Sequence, residues 1–80
     1  MAKRAVTLVF PQHLIKEPVI YRMAKQFEIV PNIRRAKVTE TTGEVVLLLE
    51  GDEHKLEAAI AHLTSLGVSV EPVEGDIIEP

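Results

Sequence analysis

The chain has 80 residues, a formal charge of -3, 46% hydrophobic and 26% charged residues, and neither cysteine nor tryptophan. This length admits one domain that buries about 63% of the surface its unfolded chain exposes, enough for one small core without cross-links. Lack of cysteine excludes disulfides, thiolate metal sites, iron–sulfur ligation and thiol nucleophiles, and the balance of aliphatic and charged residues excludes a disordered chain.

From the N-terminus, Arg4 to Phe10 alternates Val6, Leu8 and Phe10 against Ala5, Thr7 and Val9, which predicts a strand stopped by Pro11. Glu17-Pro18 opens a helix, because a first-turn proline lacks only an N–H that would be unpaired there, and Ile20, Met23, Ala24 and Phe27 form its apolar stripe. Pro31-Asn32 closes the connection. A second strand follows from Ile33 to Glu40, with Ile33, Arg35, Lys37 and Thr39 on one face and Arg34, Ala36 and Val38 on the other. Thr41-Thr42-Gly43-Glu44 predicts a glycine-containing hairpin into a third strand, Glu44 to Glu50, whose Val-Val-Leu-Leu-Leu run suits a central position. Asp52 is the expected cap of a second helix, with Leu56, Ala59, Ile60, Leu63 and Leu66 as its stripe and Gly67 at its left-handed end. Val68, Val70 and Val73 then mark a last strand that Pro72 assigns to an edge, and the tail from Glu74 to Pro80 has no assigned place.

The order strand, helix, strand, strand, helix, strand predicts an α+β, ferredoxin-like βαββαβ sandwich. Its antiparallel four-stranded sheet should have order 4-1-3-2, with two helices on one face and helical crossovers joining parallel neighbours. No apolar run is longer than Val45 to Leu49, so neither a membrane span nor a signal peptide is expected and the expected location is cytoplasmic. Charge is divided unevenly. Residues 1 to 40 carry eight Lys and Arg against three acids, a charge of +5, whereas residues 41 to 80 carry Lys55 against nine acids, a charge of -8.

Several activities of this fold make demands that the residues do not meet. Stacking of RNA bases needs aromatic side chains on the central strands, and only Phe10 is there, so no nucleic-acid partner is expected. A phosphate cradle needs a glycine-bearing loop with an arginine, and residues 11 to 18 contain neither. No nucleophile with an oriented base is evident, which predicts a protein that is not an enzyme and needs no cofactor. His54 and His62 lie eight residues apart on one helix, about 12 Å by the helical rise, so no metal site is expected. Three cations within four positions, Arg34, Arg35 and Lys37, either discourage sheet extension at an edge strand or meet a chosen partner.

Phe10, Glu17-Pro18-Val19-Ile20, Ala24, Asn32-Ile33, Gly43, Gly51, Ala59-Ile60, Leu63 and Gly67-Val68 with Val70 resemble the NIL domain, across residues 5 to 73. NIL domains are ferredoxin-like, related in shape to ACT domains, and known at the C-terminal end of bacterial methionine importer ATPases, where they bind methionine near a dimer interface and inhibit transport. Phe10-Pro11, Leu14-Ile15 and residues 17 to 25 are most similar to the NIL half of bacterial NIL–ferredoxin fusions. The resemblance divides the chain into a NIL domain over 1–73 and a C-terminal tail over 74–80. It implies a stand-alone regulatory sensor, acting as a homodimer, for a small molecule such as methionine or another sulfur amino acid. The alternative is an adaptor that has lost ligand binding and docks a protein partner. The candidate ligand-binding residues are Asn32, Ile33, Arg34, Gln12 and His13, and the candidate dimer or partner interface is Ile33, Arg35 and Lys37. The signature Asn-Ile-Leu reads here as Asn32-Ile33-Arg34, and Gln12 stands where the importer loop has glycine. The Asn32 carboxamide could fix an amino acid's charged ends, and Arg34 could add a charge-assisted bond to a carboxylate.

Overall fold

A computed structural model describes residues 1–73. The elements are β1 (Ala2–Phe10), a 3-10 turn (Gln12–Leu14), α1 (Val19–Phe27), β2 (Val30–Val38), β3 (Gly43–Gly51), α2 (Glu53–Ser65) and β4 (Ser69–Pro72). They form one sheet of order β2-β3-β1-β4, the expected ferredoxin-like α+β arrangement. Every neighbouring pair is antiparallel, so the crossovers do not join parallel neighbours: each helix carries the chain past an intervening strand. The expected tail from Glu74 to Pro80 lies outside the described residues.

The core lies between one sheet face and the two helices. Val6 and Leu8 of β1 and Val45, Leu47 and Leu49 of β3 meet Val19 and Met23 of α1 and Leu56, Ala59 and Leu63 of α2. Alternation in β3 puts its odd-numbered residues inward, with Val46 and Leu48 on the opposite, helix-free face. Among the described residues no polar or charged side chain is buried, so burial of apolar area dominates the packing. The helix ends follow local chemistry. Asp52 accepts hydrogen bonds from the backbone N–H groups of His54 at 3.0 Å and Lys55 at 3.2 Å, and Gly67, at φ 99°, closes α2 with Gly67 N–H to Thr64 and Val68 N–H to Leu63 carbonyl bonds.

Strand β2 differs most from its expected form. It begins at Val30 and runs through Pro31, which an edge strand tolerates because a missing donor on the open side breaks no ladder bond. A β-bulge between Ile33 and Arg35 then changes which residues share a face. Ile33, Ala36 and Val38 lie opposite Leu47, Val45 and Gly43 on the helix side, whereas Asn32, Arg35 and Lys37 lie opposite Leu48, Val46 and Glu44 on the open side. Ile33 is thus separated from Arg35 and Lys37, with which strict alternation grouped it, because an extra residue in one strand shifts its pleat relative to the other.

The hairpin also has a different origin. Thr39 closes it, accepting through Oγ1 from the N–H groups of Thr41 and Thr42 at 3.2 and 2.9 Å while its own N–H donates to the Thr42 carbonyl. Gly43 is not a turn residue but a buried position of β3 opposite Phe10.

At the other end of the domain, Glu28 closes α1 in the left-handed region at φ 58° and pairs with Lys55 at the start of α2. The Lys55 hydrogen bond, and secondarily its charge, holds the Glu28 carboxyl below its ordinary 4.5, while the same contact raises the Lys55 ammonium above its ordinary 10.5. A depressed carboxyl stabilises the fold above its unfolded pKa and loses that contribution as pH falls through its folded one. A raised ammonium contributes below its unfolded pKa and loses the contribution as pH rises through its folded one. Both groups are exposed, so the effect should be small and weakened by salt. Lys55→Met should return the Glu28 side-chain NMR titration toward 4.5, and an unchanged midpoint would remove the pair from the account.

Candidate functional site

The connection from β1 to α1 is held close to the sheet by short backbone bonds. Leu14 N–H donates to Pro11 at 2.9 Å, Ile15 to Gln12 at 3.2 Å, Glu17 to Leu14 at 3.1 Å and Val19 to Glu17 at 2.8 Å. This winding turns Ile15 toward Gly43. A Cβ built at position 43 would lie 3.3 Å from Ile15 Cγ1 and 3.4 Å from Phe10 Cβ, so glycine is what admits the isoleucine.

Behind this contact lies an apolar chamber of about 170 Å³. Phe10, Gly43 and Val45 supply its sheet wall, Val38 its edge-strand wall, Pro18, Ile20 and Tyr21 its α1 wall, and Ile15 the remaining side. Ile15 and Val38 also line an adjoining open cleft of about 780 Å³, whose other walls are polar: Gln12, His13 and Lys16 on one side and Thr39 and Glu40 on the other. An apolar chamber opening on a mouth with both charge signs can take a molecule with an aliphatic or thioether arm and a zwitterionic head.

The expected site residues fall into two groups. Gln12 and His13 are at the mouth, exposed on the 3-10 turn. Asn32 lies on the open sheet face opposite Leu48, Ile33 on the helix side opposite Leu47, and half-buried Arg34 at the bulge. Six residues of strand separate Asn32 from Val38, about 20 Å, so one chain does not bring Asn32 to Gln12 and His13. None of the eight chamber-wall residues was among the expected site residues. Their available signal was the glycine of the predicted hairpin, which pairs with the aromatic that ends the first strand.

A second broad depression, of about 580 Å³, lies between Met1, Ala2, Glu28, Asp52, Glu53 and Lys55. Its charged groups already serve the α2 cap and the Glu28–Lys55 pair. No group of three or more His, Cys, Asp or Glu residues able to hold a metal occurs among the described residues. No described helix is long and apolar enough to cross a membrane.

Residues 4–72 match the profile of the family described as NIL domain. The chain is 44% identical over 59 residues to methionine import ATP-binding protein MetN 2 of Acinetobacter baylyi, an alignment covering 69% of this chain and 17% of that protein. It is 32% identical over 75 residues to methionine import ATP-binding protein MetN 1 of Listeria innocua, covering 89% of this chain and 22% of that protein. The chain therefore spans about a fifth of the length of the curated relatives it matches. The C-terminal domain of an ABC transporter ATP-binding protein from Enterococcus faecalis superposes with a TM-score of 0.77 at 23% identity, over 91% of this chain and 86% of that one, and so shares the fold. With the family profile spanning the whole βαββαβ unit and the strand order of the fold in place, this chain belongs to the NIL domain family.

Proposed function

We propose that the domain is a cytoplasmic regulatory sensor that binds a sulfur amino acid, methionine foremost, without transforming it, and acts as a homodimer. The observation that carries this reading is the chamber and its mouth. The apolar arm would occupy the space between Phe10, Ile20 and Val38, where a thioether gains aromatic contacts. The α-carboxylate would face Lys16 and His13 and the α-ammonium Glu40, with Gln12 as an additional hydrogen-bonding group. The two named relatives act in methionine import, which favours methionine among molecules of this shape.

Support for a dimer comes from the helix-free sheet face, where Ala5, Thr7, Val46 and Leu48 form a half-buried strip that a second copy could cover. Asn32 and Arg35 flank it, and in this reading Asn32 approaches a ligand only through the partner copy. Ligand-dependent packing of two such faces would be the signal passed on.

Calorimetry with L-methionine, D-methionine and L-norleucine tests the reading. The expected result is saturable binding of L-methionine, weaker binding of its mirror image, and a loss of about tenfold or more in Lys16→Ala/Glu40→Ala. Absence of heat with all three at millimolar concentration, in a sample shown by sedimentation to be dimeric, overturns it.

A further inference from the structure

The two edges of the sheet are built differently. β4 is four residues long, carries Glu71 and ends on Pro72, features that limit further pairing. β2 is nine residues long and has no neighbour on its outer side among the described residues. It is also where apolar exposure concentrates: Ile33 is 57% exposed and Val38 59%, and Tyr21 on the facing helix is 63% exposed. The helix side of the edge strand is thus only partly covered: Val38 and Tyr21 face one cavity, yet both stay more than half exposed.

We propose that β2 receives an extended acidic segment of a partner protein as a fifth strand, read as acidic, apolar, acidic opposite residues 35 to 37. Alternation puts Arg35 and Lys37 on one face with Ala36 between them on the other, and the bulge before Arg35 makes the cations' face the open side and that of Ala36 the helix side. A strand laid along this edge alternates its own side chains in the same way, so it offers two residues to the cations and the intervening one to the groove. At that level the edge strand presents only the Ala36 methyl, which leaves room for a large aliphatic side chain near Val38 and Tyr21.

Charge selects the occupant. Among the described residues Arg35 and Lys37 form no ion pair, and Glu44 lies opposite Lys37 in register without reaching salt-bridge distance. A second copy pairing β2 with itself would bring these like charges together, which disfavours self-pairing and favours an acidic partner. The edge groove and the amino-acid chamber share Val38 and Tyr21, but Arg35 and Lys37 line only the edge, so their substitution separates the two proposals.

The probe is an acetylated and amidated peptide, Ser-Val-Glu-Leu-Asp-Val-Ser, titrated into the full-length, isotope-labelled protein and followed by backbone amide NMR. Shifts should concentrate in residues 33 to 38 and near Tyr21, and rising salt should reduce them. The same peptide with lysine for both acids should not bind, and N-methylation of alternate residues should abolish binding by removing the ladder donors. Arg35→Glu/Lys37→Glu, both exposed, should melt as wild type yet bind the acidic peptide about tenfold more weakly and accept the lysine peptide instead. Three outcomes overturn the proposal: silence of the acidic peptide at millimolar concentration, shifts elsewhere, or concentration-dependent broadening of β2 without peptide, which would assign the edge to a second copy.

Discussion

Leu47→Ala should lower the unfolding free energy by about 2–5 kcal/mol, whereas Ile33→Ala, at the position directly opposite in the sheet, should cost less than about 1 kcal/mol. The two side chains share a face and are neighbours across β2 and β3, yet Leu47 is completely buried and Ile33 is 57% exposed. Leu47 lies in a central strand, opposite Val6 on its other side, so the rigid sheet can collapse little into the cavity its truncation leaves. A domain of this size has a total stability of about 4–12 kcal/mol, so the loss is a large part of it. Each kcal/mol shifts Tm by about 4–8 °C in a domain of 60–100 residues. Thermal melts of the two variants should therefore differ by at least about 4 °C. Similar melting temperatures would mean that the groove beside β2 is closed in solution and that Ile33 is part of the core.

Gly43→Val should abolish methionine binding while leaving the domain folded, with a stability cost of about 1–3 kcal/mol. The first added carbon meets Ile15 Cγ1 at 3.3 Å, and because that atom belongs to a flexible side chain the contact is relieved by moving Ile15 rather than backbone. Ile15 separates the chamber from its mouth, so the displacement and the valine methyls act at the same opening. Part of the cost is offset because valine suits a strand and glycine does not. Gly43→Ala serves as the graded control, adding one carbon and reducing affinity less. A variant that binds as wild type by calorimetry, with an unchanged melt, would remove the chamber from the binding account.

Positive charge gathers at the edge strand. Arg34 stands at the residue where the bulge forms, and the two cations after it face the open side of the sheet. The positive half of the chain is thus partly gathered on one edge, while Glu53 and Lys55 at the start of α2 are committed to Arg4 and Glu28. This division explains why the net charge of -3 says little about partners and the local charge of β2 says more.

Elements whose signals are local were legible in the sequence. The Asp52 cap, the Gly67 terminus, the β3 apolar run and the order of strands and helices all depend on side-chain spacing or on backbone preference within a few residues. Family membership was legible for the same reason, since its pattern is distributed over these elements. The face on which Ile33, Arg35 and Lys37 lie was not, because alternation within β2 carries no record of the bulge that pairing with β3 imposes. Nor was the role of Gly43: a glycine near a hairpin reads as a turn residue, and only the approach of Ile15 from a connection 28 positions earlier shows that it makes room for a side chain. The sequence by itself determined which elements form and what family they build. The tertiary structure decided which side chains meet at the chamber and which charges share the open edge, because register and close approach are properties of paired strands rather than of any one of them.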